Sequence, residues 1–160
     1  MNQDLLDLKK IKLFVYDFDG VMTNNTFSLD EKGNEQVFLN RSDGLAVNEI
    51  RKRGFKQLIL STEKSKIIIL RAKKLKIESE IGVKDKLLTL KAYLSSKSLK
   101  FNEIAYVGND INDFEAMSHA KLKICPRDAQ KPIKKISDII LKEEGGKGVI
   151  REILSLIIEE

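Results

Sequence analysis

Two acidic clusters in this chain stand where an apolar run ends. Asp17-Phe18-Asp19-Gly20-Val21 follows Leu13-Phe14-Val15-Tyr16, and Gly108-Asn109-Asp110-Ile111-Asn112-Asp113 follows Ala105-Tyr106-Val107. Carboxylates two residues apart at the edge of an apolar segment are costly unless a cation or hydrogen bonds compensate them. One of the pair can attack an electrophile while the other handles protons. Gly20 lets the backbone turn and approach a ligand closely. A hard, oxygen-ligated cation would neutralise an anionic substrate there and hold the pair in place. Taken alone, the first cluster reads equally as a turn aspartate and a helix cap. The second reads as oxygen groups for a metal shell, Asp110 and Asp113 sharing one side of a helical turn, or as caps of the helix that follows.

Between the clusters lie other candidate groups. Ser61 ends an apolar run, and Lys86 lies in Gly82-Val83-Lys84-Asp85-Lys86. A hydroxyl and an ammonium can hold the oxygens of a phosphoryl group as charge develops. Glu63 can accept from the hydroxyls of a ligand. Arg71 and Lys74, three residues apart, share a helix face, and an arginine can grip a carboxylate with two donors. A solvated basic face with a capping glutamate is the alternative for these three. His119, at an expected helix C-terminus, and Cys125, before Pro126, read as structural.

The elements that must position these groups alternate in type. Apolar runs at 12–16, 57–60, 104–107, 122–124 and 139–141 read as strands. Patterns at 64–76, 85–94, 112–119 and 148–158 read as helices, as does the stretch from Asp43, a candidate N-cap, to Arg53-Gly54. Segments 26–29 and 36–39 flank Gly33-Asn34 and predict a β-hairpin. Strands alternating with helices imply a parallel sheet covered on both faces, a Rossmann-like three-layer α/β/α fold. In such sheets, sites lie beyond the carboxyl ends of the strands. Asp17, Asp19, Ser61, Asn109 and Asp110 all fall there.

Bulk properties narrow the class. The 160 residues, 42% apolar and 33% charged, suit one domain (1–160) with a core of its own. Cys125 is the only cysteine, so no intrachain disulfide forms, which fits a reducing, cytoplasmic setting. The first ten residues carry no apolar leader pattern, and no apolar run approaches the ~18 residues needed to span a bilayer, so no membrane partner is expected. The net charge of +5 is spread over lysine-rich faces without aromatic interleaving, which argues against nucleic acid.

The order Asp17-x-Asp19-Gly20-Val21, strand-end Ser61, Lys86, then Gly108-Asn109-Asp110-x-x-Asp113 resembles the four motifs of the haloacid dehalogenase superfamily across nearly the whole chain. With the hairpin insertion at about 24–40, Arg41-Ser42-Asp43-Gly44 and the Gly145–Glu152 segment, it resembles the capless branch. That branch contains phosphatases of eight- and nine-carbon 2-keto-3-deoxy sugar acids and the phosphatase-like domain of acylneuraminate cytidylyltransferases. The resemblance implies a Mg²⁺-dependent phosphomonoesterase, with Asp17 as nucleophile and Asp19 as general acid and base. It implies Mg²⁺ on the Asp17 carboxylate, the Asp19 carbonyl and an oxygen from Asn109 or Asp110, with Asp113 as the last motif aspartate. Ser61 and Lys86 then hold phosphoryl oxygens. A homotetramer is implied, as is the alternative of a catalytically weak module that associates with a cytidylyltransferase. Thr62 and Asn109 depart from the Gly and Asp common at those positions. Glu63-x7-Arg71-x2-Lys74 resembles the substrate-binding pattern of nonulosonate 9-phosphate phosphatases, so a nine-carbon acid is expected before an octulosonate 8-phosphate.

Overall fold

The computed structural model describes residues 8–158; residues 1–7, part of the N-terminal stretch read above, lie outside them. The chain opens with β1 (Leu13–Tyr16), whose four residues are all buried. An antiparallel pair follows, β2 (Ser28–Leu29) and β3 (Glu35–Gln36). It is shorter than the apolar pattern predicts and exposed along both arms. Its turn is held by Asp30, whose carboxylate accepts the backbone N–H groups of Lys32 (2.9 Å) and Asn34 (2.8 Å). Then come α1 (Arg41–Lys52), β4 (Lys56–Leu60), α2 (Lys66–Leu75) and β5 (Glu78–Glu80). The remainder is α3 (Lys86–Ser96), β6 (Ile104–Val107), α4 (Phe114–Ser118), β7 (Leu122–Cys125), α5 (Lys131–Ile136), β8 (Ile139–Ile140) and α6 (Val149–Ile158).

The six long-range strands form one parallel sheet in the order β5-β4-β1-β6-β7-β8. The chain winds outward from β1 in both directions, so the strand order reverses between β1 and β6. A crevice opens at such a reversal beyond the strand ends. Side chains alternate across the sheet as the twofold strand period demands. Phe14 and Tyr16 pack with α1, α2 and α6. Leu13 and Val15 pack, with Tyr106, against α3, α4 and α5. The three-layer α/β/α fold is therefore present, with two apolar cores separated by the sheet. Among the described residues, no helix is long and apolar enough to cross a membrane.

Two elements escaped the sequence pattern. β5 is a three-residue edge strand of two glutamates and a serine, and α5 is a six-residue, lysine-rich helix with proline in its first turn. Neither carries enough apolar residues to show a period. The cap of α1 is also corrected. Asn40, not Asp43, precedes the helix, and its side chain accepts from the Ser42 N–H. Asp43 sits inside α1 and points at the start of α6, where its carboxylate accepts the Arg151 N–H at 3.0 Å. One of the orphan N–H groups at the start of α6 is thus satisfied from another helix.

Candidate active site

The carboxyl end of β1 delivers Asp17 into the crevice. Its backbone N–H continues the ladder to the Val107 carbonyl at 2.9 Å, which ties it to β6. Beyond it the chain turns tightly, with the N–H groups of Met22 and Thr23 on the Phe18 carbonyl and Gly20 at φ +83°. The turn presents Asp19 beside Asp17. Thr23 donates to an Asp19 carboxylate oxygen at 3.0 Å while accepting the N–H groups of Gly20 and Asn25. Thr23 thus orients Asp19. Sequence reading missed it, because a threonine in a turn carries no chemical signature of its own.

Asp17 is buried, and one of its oxygens takes both the Phe18 N–H (2.8 Å) and the Lys86 ammonium (2.8 Å). Lys86 opens α3, a poor place for a cation because the helix N-terminus is itself positive. Two carboxylates compensate: the same ammonium lies 2.7 Å from Asp113, and its side chain is only 1% exposed. Asp113, fully buried, collects donors on both oxygens. Lys86 and the Tyr106 hydroxyl (2.8 Å) share one, and the N–H groups of Asn109 (2.9 Å) and Asp110 (3.3 Å) share the other. Its carboxylate is therefore committed to holding the loop and Lys86, not turned outward to complete a metal shell as the helical-face reading allowed.

The electrostatics follow from this burial. Desolvation raises the Asp17 carboxyl above its ordinary range, with the Asp113 charge adding to it, while the Lys86 ammonium and the Phe18 N–H oppose it. Burial likewise raises Asp19, against the Thr23 hydrogen bond. Burial works against the Lys86 ammonium, but the neighbouring Asp17 and Asp113 charges outweigh it and hold its pKa above the ordinary value. The Tyr106 hydroxyl is driven well above its usual value by burial and by the same two carboxylates.

A cavity of about 550 Å³ opens over Asp17 and Asp19. Ser61, Glu63, Asn109 and Asp110 line it, and Phe27, Glu35 and Val37 of the hairpin region form a wall that sequence reading did not foresee. Ser61 is buried at the end of β4, its hydroxyl accepting the Glu63 N–H at 3.1 Å. Lys86 does not line this cavity; it stands behind Asp17 and reaches the site through it. Arg71 and Lys74 do not line it either. The Arg71 guanidinium donates to the Asn40 carbonyl at 2.9 Å, at the start of α1, and Lys74 is exposed. His119 lies in the open at the end of α4, and Cys125 is buried in the sheet.

The donor set suits a hard cation. The Asn109 side-chain oxygen is buried without any hydrogen-bond partner, a costly state that a cation would relieve. The Asn109 amide, nitrogen first, packs directly over Gly20, where a Cβ would have to stand, so the two motif loops meet at this side chain. Among the described residues no three His, Cys, Asp or Glu side chains converge, so any metal shell here mixes carboxylate with amide and backbone oxygen.

A parallel sheet with paired aspartates at its switch point, backed by a lysine and a last buried aspartate, defines a haloacid dehalogenase-like hydrolase. The model of that family matches residues 23–153, and the chain belongs to it. It is a phosphatase of that family. It is 26% identical over 149 residues to the 3-deoxy-D-manno-octulosonate 8-phosphate phosphatase of Yersinia pestis, covering 92% of this chain and 80% of the relative. The crystal structure of the Moraxella catarrhalis 3-deoxy-D-manno-octulosonate 8-phosphate phosphatase, in complex with magnesium, phosphate and KDO, superposes with a TM-score of 0.94 at 29% identity. That match covers 99% of this chain and 92% of the other. A HAD family hydrolase from Streptomyces avermitilis is 34% identical with a TM-score of 0.90, over 92% and 91% of the two chains.

Proposed function

We propose that this phosphatase hydrolyses the phosphomonoester of a 2-keto-3-deoxy sugar acid through a phosphoaspartate on Asp17, with a nine-carbon nonulosonate 9-phosphate as the preferred substrate. The observation that carries the reading is the convergence, at one strand-order reversal, of a lysine-pinned Asp17 with the unpartnered Asn109 oxygen. Lys86 and the Phe18 N–H fix the rotation of the Asp17 carboxylate before substrate arrives. An Asp17 oxygen attacks phosphorus as the ester P–O bond breaks, and Asp19 gives its proton to the leaving sugar alcohol. Asp19 then takes a proton from water, which attacks phosphorus, releasing phosphate and restoring the Asp17 carboxylate. The Asp17 carboxylate, the Asp19 carbonyl and Asn109, with Asp110 beside them, would hold Mg²⁺, which when bound neutralises the phosphate charge. The Ser61 hydroxyl, at the cavity wall, would hold a phosphoryl oxygen as charge develops, while Lys86 acts on the reaction through Asp17 from behind.

Glu63 at the cavity wall supports a hydroxyl-rich sugar substrate, and the nine-carbon preference rests on the Glu63-x7-Arg71-x2-Lys74 pattern. The eight-carbon octulosonate 8-phosphate is the second reading, favoured by the relatives that act on it. Arg71 and Lys74 serve the substrate carboxylate from a neighbouring subunit. The exposed Phe27, Leu29 and Phe38, the last 83% exposed, support the homotetramer this requires. The lone buried thiol of Cys125 supports a cytoplasmic setting. The test is Mg²⁺-dependent phosphate release from a panel of eight- and nine-carbon sugar-acid phosphates, run beside Asp17→Asn. The expected result is preference for a nine-carbon ester and loss of more than about nine-tenths of turnover in the variant. Retained turnover in Asp17→Asn would remove Asp17 as nucleophile.

A further inference from the structure

We infer that Tyr106 is a positioning residue of this phosphatase: its hydroxyl restrains Asp113 so that Lys86 stays shared with Asp17. The inference rests on Asp17 being the nucleophile. Lys86 stands between two buried carboxylates at nearly equal distances, 2.8 Å to Asp17 and 2.7 Å to Asp113. An ammonium between two anions sits where their pulls balance, and the balance depends on how much of each charge other donors already take up. Asp113 accepts the Tyr106 hydroxyl at 2.8 Å on the very oxygen that Lys86 uses. Asp17 has the Phe18 N–H on the oxygen that faces Lys86. Each carboxylate oxygen that meets Lys86 thus carries one further donor, and on Asp113 that donor is Tyr106.

Without the hydroxyl, the Asp113 oxygen has Lys86 alone in a setting where water does not substitute. The ammonium is drawn toward Asp113, and the Asp17 carboxylate loses the partner that fixes its rotation. The side chain then remains able to bind substrate but spends less time aligned for attack. Such a loss belongs to kcat rather than KM.

β1 offers a matched control. Tyr16 is equally buried, and its hydroxyl donates to Gln57 at 3.0 Å on the opposite face of the sheet, away from Lys86. The experiment compares Tyr106→Phe with Tyr16→Phe in the full-length Mg²⁺-loaded enzyme, measuring kcat and KM on p-nitrophenyl phosphate alongside Tm. Tyr106→Phe is expected to fold and to lose at least about 10-fold in kcat, the scale of one hydrogen bond to a charged group, with KM changed less than about twofold. Tyr16→Phe should lower Tm comparably and leave kcat as it was. The inference is overturned by wild-type kcat in Tyr106→Phe, by a parallel loss of kcat in both variants, or by failure of Tyr106→Phe to fold, which would make the hydroxyl a requirement of the fold. Asp17→Asn, assayed alongside, separates the two ideas: an inactive Asp17→Asn with an unimpaired Tyr106→Phe rejects the positioning role alone.

Discussion

The Asn109 side-chain amide occupies the space that a Cβ on Gly20 would fill. Two loops 89 positions apart in the chain are thereby closed against each other with only the Asn109 side chain between them, and Asn109, with its unpartnered oxygen, is held at the wall of the cavity over Asp17 and Asp19. Gly20 is doubly constrained, since it also adopts φ +83°, a region that costs other residues roughly 1–2 kcal/mol.

Gly20→Ala should therefore displace Asn109 from the site while the two apolar cores persist. Activity at fixed Mg²⁺ is expected to fall at least about tenfold, from a misplacement of the order that costs such factors in oriented sites. Circular dichroism should show a folded protein. An alanine variant with wild-type activity would mean that the contact between the loops does not matter for catalysis.

Asn109→Asp replaces a neutral amide oxygen with a carboxylate, which suits a hard cation better. Mg²⁺ binding, followed by calorimetry and by the half-saturation of activity, should tighten. If both stay where they are in the wild type, Asp110 rather than Asn109 meets the metal.

Asp43 makes stability depend on pH. Burial raises its carboxyl from 3.8 to about 6, against the N–H groups of Arg151 and Ile150 and the Arg71 charge, with Glu143 adding to the rise. Tyr16 also lies within its field. A raised folded-state pKa means that the folded protein holds this proton more tightly than the unfolded chain does. The resulting stability is complete below about pH 4 and is lost as pH rises through about 6. Asp43→Asn keeps an acceptor for the Arg151 N–H and removes the dependence. Its Tm relative to wild type should climb between pH 4 and 7, by the equivalent of at most about 3 kcal/mol. A difference that stays flat or falls would show the ionised carboxylate to be a net stabilising cap of α6.

Arg71→Ala tests recognition across a subunit boundary. Its guanidinium already holds the Asn40 carbonyl, so the variant carries some structural cost. On a sugar-acid phosphate, kcat/KM should fall about 10- to 150-fold, the worth of a lost charge-assisted hydrogen bond. On p-nitrophenyl phosphate, which lacks the carboxylate, the loss should be slight. Equal losses on both substrates would confine Arg71 to bracing the start of α1.

The sequence alone carried five of the six sheet strands, the polar edge strand β5 excepted, and the functional groups at their ends, because a buried parallel strand must be an apolar run and a polar cluster just after one stands out. Asp17, Asp19, Ser61, Asn109 and Asp110 were legible for that reason, and they are the residues that meet at the cavity. The Asp113 commitment to Lys86 and Tyr106, the Thr23 brace on Asp19 and the capping of α6 by Asp43 were not legible. Two of these three join segments remote in the chain, and spacing along a sequence reports only neighbours along a strand or a helix. Arg71 and Lys74 share a helix face as their spacing requires, yet the packing of α2 turns them away from the cavity of their own chain. Local periodicity decides which residues lie side by side; the winding of the chain about β1 decides which of them meet, since the partners of a buried charge are set by the elements packed around it.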